Sequence, residues 1–168
     1  MDNANKNSNA SMELVVKMAL MAWQSQNTRV DKLLEEIPDE QWMADVAPGR
    51  NSGRYLFGHL IGVNDNLLPL FGLGQKLYPQ LTKIFLTDPD KTAAEYPPMG
   101  ELRNMWRQVN DKLTSHFNQM SPEDWLARHN SVSPEDFASE PHRNKLNVLL
   151  NRTTHQGYHI GQLVFLKK

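Results

Sequence analysis

"GELRNMWRQVNDKLTSHFNQM", residues 100–120, decides the fold class. Leu102, Met105, Trp106, Val109, Leu113, Phe117 and Met120 recur at steps of three and four, the period at which an α-helix returns to one face. Charged and amide residues such as Arg103, Arg107, Gln108 and Lys112 fill the positions between them. One stripe is therefore suited to a core and the rest to water. Ser121 and Pro122 stop the helix.

Moving toward the C-terminus, residues 141–166 predict a last helix. Pro141 suits a first helical position, and Leu146, Leu149, Leu150, Thr153 and Ile160 form its packing face. Toward the N-terminus, residues 69–98 hold Pro69, Gly72, Gly74, Pro79, Pro89, Pro97 and Pro98. That composition predicts a broken connection with one or two helical turns around "KLYPQLTKIFL" (76–86). It is longer than an antiparallel hairpin needs, so it reads as a crossover. The helix before it begins at Ser52, a suitable N-cap, turns Leu56, His59, Leu60, Val63 and Leu67 inward, and ends at Pro69. In the first helix the stripe is Met12, Val15, Val16, Ala19, Trp23, Val30, Leu34 and Ile37, closed by Pro38. Residues 1–11, polar and Asn-rich, predict a disordered tail, leaving 12–168 as a single domain. No useful run alternates with period two. The expected class is all-α, with four main helices.

At 168 residues the chain is long enough to bury a core, and hydrophobic residues supply 39% of it. The net charge of −1, with no Lys/Arg cluster, argues against nucleic acid or a membrane surface as partner. No apolar run is long enough to span a bilayer, and "MDNANKNSNAS" (1–11) has no apolar signal region, so a cytoplasmic location is expected. The chain has no cysteine. Any metal must be held by histidine and carboxylate, and any thiol chemistry must use a thiol brought by a substrate.

"THQGYHIGQL" (154–163) places His155 and His159 one helical turn apart. That spacing lets two imidazoles reach one ion, and it also arises incidentally in helices. His59, in "YLFGHLIGVND" (55–65), lies on the apolar stripe of the second helix. It is either a buried ring bonded to a backbone carbonyl or the third member of a facial metal set that leaves positions open for substrate. His129 and His142 read as solvated or locally bonded, and His116 is a reserve ligand at the core edge. Gly58 and Gly62 flank His59, and Gly157 and Gly161 flank His159. Mid-helix glycine costs about 1 kcal/mol relative to alanine, so these pairs predict close approach between helices. Asp65 is a candidate outer partner of His59, with exposure to water as the alternative. Glu123, Asp124, Glu135 and Asp136 follow Ser-Pro and read as helix-start charges.

The segments "LEEIPDEQW" (34–42), "GRYLFGHLIGVND" (53–65) and above all "THQGYHIGQLVFLKK" (154–168) make the chain similar to the DinB/YfiT-like superfamily of small bacterial metal-dependent proteins. The resemblance covers nearly everything from about Val15 onward. It implies a four-helix bundle in up-down-down-up order, with the long crossover between helices two and three. It also implies a divalent metal held by one histidine of helix two and an H-x-x-x-H of helix four, which map to His59, His155 and His159. Further implications are a homodimer and, by analogy with characterised branches, a reaction that uses a low-molecular-weight thiol. The function so implied is a metal-dependent S-transferase or a hydrolase acting on a small molecule, with the three histidines as ligands and no catalytic base identified. The alternative is a non-catalytic metal- or ligand-binding bundle with a stress-related role. Geometry rather than ligand type chooses among zinc, nickel, iron and manganese.

Overall fold

Hydrophobic period and capping residues together set the element boundaries in this computed structural model, which describes residues 2–93 and 95–167, with side chains from Asn9 onward. In chain order the helices are α1 (Asp2–Glu36), α2 (Asp39–Trp42), α3 (Gly53–Asp65), α4 (Leu67–Phe71), α5 (Met99–Phe117), α6 (Pro122–Leu126), α7 (Pro134–Ser139) and α8 (Lys145–Leu163). A π-helical turn covers Lys83–Thr87 and a 3-10 turn Val164–Leu166. Among the described residues there is no β-strand, only the isolated bridges Asp45–Ser52 and Arg128–Asn144. The protein is all-α.

The stripe predicted in α5 is the one that is buried: Leu102, Met105, Trp106, Val109, Leu113 and Phe117 all lie in the core. Met120 falls beyond the helix end and is partly buried. The four tryptophans, Trp23, Trp42, Trp106 and Trp125, are at most 2% exposed and tie the helices together. Trp23 and Trp125 each meet Phe117 edge-on, at 5.2 and 5.0 Å between ring centres, contacts worth about 0.5–1.5 kcal/mol each beyond area burial. The Trp106 indole donates to Asp31 at 2.7 Å, joining α5 to α1. The longest helices, α1 and α8, pack on each other, and Gln156 donates to Asn27 at 2.8 Å inside that contact. α3 packs on α5, on α8 and on the π-helical turn.

Capping agrees with the residues present. Ser52 accepts from the Tyr55 amide at the start of α3. Ser121 and Asp124 form a reciprocal capping box for α6, and Ser133 caps α7. The acidic residues after each Ser-Pro are thus helix-start charges, though the short helices they open were not predicted. Helix ends moved in two places. α3 stops at Asp65 and Pro69 sits inside α4, where the first turn needs no amide donor. α8 starts after Asn144 rather than at Pro141, because the Asn144 side chain accepts from the Asn147 amide at 2.9 Å.

Two apolar assignments also differ: Val15 is 54% exposed and Leu150 45% exposed. Val16 occupies the core position on α1, and Leu14, Val15, Met18 and Met21 form a second apolar face on the outside. The polar start predicted as disordered carries helical backbone from Asp2 onward. Extending an established helix costs far less than nucleating one. Met1 lies outside the described residues.

Candidate metal centre

α3 and α8 each present histidine toward the other. His59 comes from the middle of α3, and His155 and His159 come from successive turns of α8. The Nε2 atom of His155 lies 3.3 Å from that of His59 and 3.0 Å from that of His159. All three ligand atoms fall within 4.8 Å of one another, and this is the one such group of metal-binding side chains among the described residues. Four donors placed tetrahedrally at zinc–imidazole distances are separated by about 3.3 Å. The two spacings from His155 lie close to that edge.

Hydrogen bonding at the far side of each ring decides what the near side offers. Nδ1 of His59 donates to the carbonyl oxygen of Phe85 at 2.9 Å. Nδ1 of His159 donates to Oε1 of Gln162 at 2.7 Å, while the Gln162 amide nitrogen donates to the Tyr158 hydroxyl. Both rings therefore carry their proton on Nδ1 and aim an unprotonated Nε2 at His155. His155 has one N–H at most when neutral, and it can satisfy only one of the two. Its own Nδ1 is buried without a hydrogen-bond partner. At least one of the two close nitrogen pairs is thus left as facing lone pairs without a hydrogen, which is unfavourable by itself, and a cation at the meeting point removes the conflict. The donor set fits a divalent metal ion.

The rings are held in the form that ligates. Burial lowers the pKa of His59, a shift partly opposed by the bond to Phe85 and reinforced by the charge of Arg152. Burial also lowers His159, opposed by Gln162. His155 is lowered most, to about 4, by burial first and then by His159, His59 and Arg152. Free histidine titrates near 6.5, so between about 4 and 6.5 the unfolded chain binds more protons at this site than the folded chain. Stability from His155 is thus complete above pH 6.5 and is lost as pH falls toward 4. Metal-free protein kept in chelator is expected to melt at a lower temperature at pH 5 than at pH 7. His155→Gln should flatten that difference, as thermal melts across the range will show.

The glycines of α3 explain how a backbone carbonyl reaches His59. A Cβ at Gly58 would stand 2.4 Å from the Phe85 ring, and one at Gly62 would stand 3.3 Å from the Leu86 side chain. Glycine lets the π-helical turn lie directly on α3. Carbonyls at a helix C-terminus lack intrahelical partners, and the Phe85 carbonyl, near the end of the five-residue turn, takes its hydrogen from His59. On α8 the same reading is weaker. A Cβ at Gly157 would stand in ordinary contact with Gln26, at 3.6 Å, and one at Gly161 would meet nothing within 4 Å.

Asp65 is not a partner of His59. It is 1% exposed, and its two oxygens accept from the amides of Leu77 and Tyr78 at 2.8 and 2.9 Å. The reserve ligand His116 and the remaining His129 and His142 lie outside the cluster, with Nδ1 of His129 accepting from the Ser131 amide. Phe85 was missed because a carbonyl oxygen carries no residue-type signal. Gln162 stood in the quoted motif, and its spacing of three from His159 was the available clue.

Beside the cluster a cavity of about 260 Å³ opens against His159. Its walls come from the loop before α3, including Val46, Arg50 and Asn51, and from Leu56, Tyr158 and Gln162. It is large enough for a small molecule and contains no carboxylate. The loop 43–52 thus contributes to the wall, whereas residues 69–98 reach the centre through Phe85.

The family model of the DinB superfamily matches residues 22–163, a span that takes in α3, α8 and all three histidines. No curated protein matches the chain.

Proposed function

Because this chain belongs to the DinB superfamily, we propose that His59, His155 and His159 hold one divalent metal ion in a metal-dependent transferase or hydrolase. The observation that carries the reading is the convergence of three Nε2 atoms, two of them obliged by their own hydrogen bonds to be lone-pair donors. Bound there, a divalent cation supplies Lewis acidity that makes a thiol or a water nucleophilic at neutral pH.

The chain's own residues fix the tautomers, exclude protons from the ligands and shape the neighbouring cavity. The Phe85 carbonyl and Gln162 orient two of the rings, a role that outer partners of metal-ligating histidine commonly fill. Three ligands from one side leave the opposite side free, as in catalytic rather than closed structural sites. The cavity at His159 gives a small molecule a way in. The substrate we assign is a low-molecular-weight thiol with an electrophilic partner, or a small hydrolysable compound. The chain has no cysteine of its own to serve as nucleophile. The same reading arranges α1, α3, α5 and α8 as an up-down-down-up bundle with residues 69–98 as the crossover, working as a cytoplasmic homodimer.

Protein purified without a polyhistidine tag is expected to contain roughly one divalent ion per chain, as a three-ligand site requires. Thiol conjugation to electrophiles should disappear in chelator and return when metal is restored. Protein that takes up no metal would overturn the site. Metal without turnover, across thiols and hydrolysable esters or amides, would leave the non-catalytic binding module with a stress-related role as the better description.

A further inference from the structure

Arg152 stands one turn before His155 on α8 and two turns before His159, on the same stripe of that helix. It is partly buried, and its Nε is enclosed without a hydrogen-bond acceptor. None of the ion pairs or side-chain hydrogen bonds among the described residues includes it, in contrast to Arg103, which meets both Asp39 and the Leu34 carbonyl. Burial works against its charge. Its positive field reaches His59 and His155, and no carboxylate is among the charges acting on any of the three imidazoles. A guanidinium whose Nε is enclosed without an acceptor carries a cost that an anion bridging Nε and an outer nitrogen removes.

We propose that Arg152 is an anion-binding residue that pairs with a carboxylate of the small molecule held beside the three histidines, so that this site selects carboxylate-bearing ligands over neutral ones. The charge balance points the same way. A dication on three neutral imidazoles, with a guanidinium one turn away and Arg50 on the cavity wall, leaves positive charge that no acidic side chain of the cavity offsets. A planar fork suits a carboxylate in two parallel hydrogen bonds, which a lysine ammonium does not reproduce. The substrate class that follows is a small organic acid, with the thiol of the proposed function carried on an acidic framework. In its reference to bound metal this rests on the reading given above. The guanidinium–carboxylate pairing itself does not need the ion.

The test compares mercaptosuccinate with 2-mercaptoethanol, one thiol with two carboxylates and one with none, by calorimetric titration of zinc-loaded and of metal-free protein. Wild type is expected to prefer mercaptosuccinate in both forms. Arg152→Gln should weaken mercaptosuccinate binding by about 10- to 100-fold and leave 2-mercaptoethanol within about two-fold, the range for losing a charge-assisted pair. Arg152→Lys should fall between, which a merely structural role would not produce. Zinc affinity, measured separately on each variant, should not fall, because Arg152→Gln removes a positive charge from beside the cation and Arg152→Lys keeps one. Equal weakening of both thiols, or no weakening of mercaptosuccinate, would overturn the assignment. Failure of zinc to bind the three histidines would overturn the metal site instead, and the metal-free titrations would still decide Arg152.

Discussion

Replacing His155 with alanine is expected to abolish divalent-metal binding while leaving the fold intact. His155 is the member whose Nε2 faces both other rings, at 3.3 and 3.0 Å. Without it, His59 and His159 keep their orienting bonds to Phe85 and Gln162 but provide only two donors from opposite helices. Removing an outer partner of a metal ligand costs about 10- to 100-fold in affinity, and removing the ligand itself should exceed about 100-fold. The substitution leaves no new buried orphan, because Nδ1 of His155 has no partner to lose. It also removes a ring whose burial disfavours its charged form. Melting temperature of the metal-free protein should therefore stay within about 3 °C of wild type, a change below roughly 1 kcal/mol for a domain of this size. Titration of zinc or nickel into metal-free wild type and variant, read against elemental analysis, checks the first part. Undiminished metal content in His155→Ala would show that the ion sits elsewhere.

That prediction uses residues visible before any coordinates. His155 and His159 share one helix, so the period of that helix alone fixes their separation, and His59 was the polar exception on an otherwise apolar stripe. The pairing of α3 with α8 is a tertiary fact and came only from the structure and from family resemblance. The same division holds for the fold. In α5 a single apolar stripe faces strongly polar flanks, and every residue assigned to the core within the helix is buried. In α1 apolar residues occupy two faces, and periodicity by itself could not choose Val16 over its neighbour Val15.

What escaped the sequence was mostly backbone. The Phe85 carbonyl orients His59 because Gly58 and Gly62 allow a π-helical turn to rest on α3. The glycines announced a close approach without saying what approaches. Asp65 shows the converse case. Its residue type suggested a histidine partner, yet its oxygens meet the main-chain amides of Leu77 and Tyr78, which carry no residue-type signal. The helix start at Ser52 was legible from its cap, whereas the short helices capped by Ser121 and Ser133 were not predicted, and the start expected at Pro141 lies at Asn144.

Asp65→Ala is expected to be the most destabilising substitution near the site, at about 2–4 kcal/mol, since it leaves two part-buried amides without their acceptor, each toward the lower end of roughly 1–3 kcal/mol. Against a total stability of about 5–15 kcal/mol, that is a large fraction. The carboxylate is 1% exposed and holds the Leu77 and Tyr78 amides in place, at the head of the chain segment that leads into the π-helical turn. Loosening this segment should also release the Phe85 carbonyl from His59. Metal affinity should then fall by about 10- to 100-fold, as for other lost orienting partners, although Asp65 touches no ligand. Asp65→Asn keeps one carbonyl oxygen as acceptor, so it should restore part of the stability and most of the metal affinity. Equilibrium unfolding in urea gives the first quantity, and metal titration well below the melting temperature gives the second. A loss under about 1 kcal/mol for Asp65→Ala would mean that water replaces the carboxylate readily, and the segment would then owe its position to Phe85 and Leu86 packing on Gly58 and Gly62 instead. In that event Gly58→Ala, whose added carbon would stand 2.4 Å from the Phe85 ring, becomes the substitution that displaces the carbonyl.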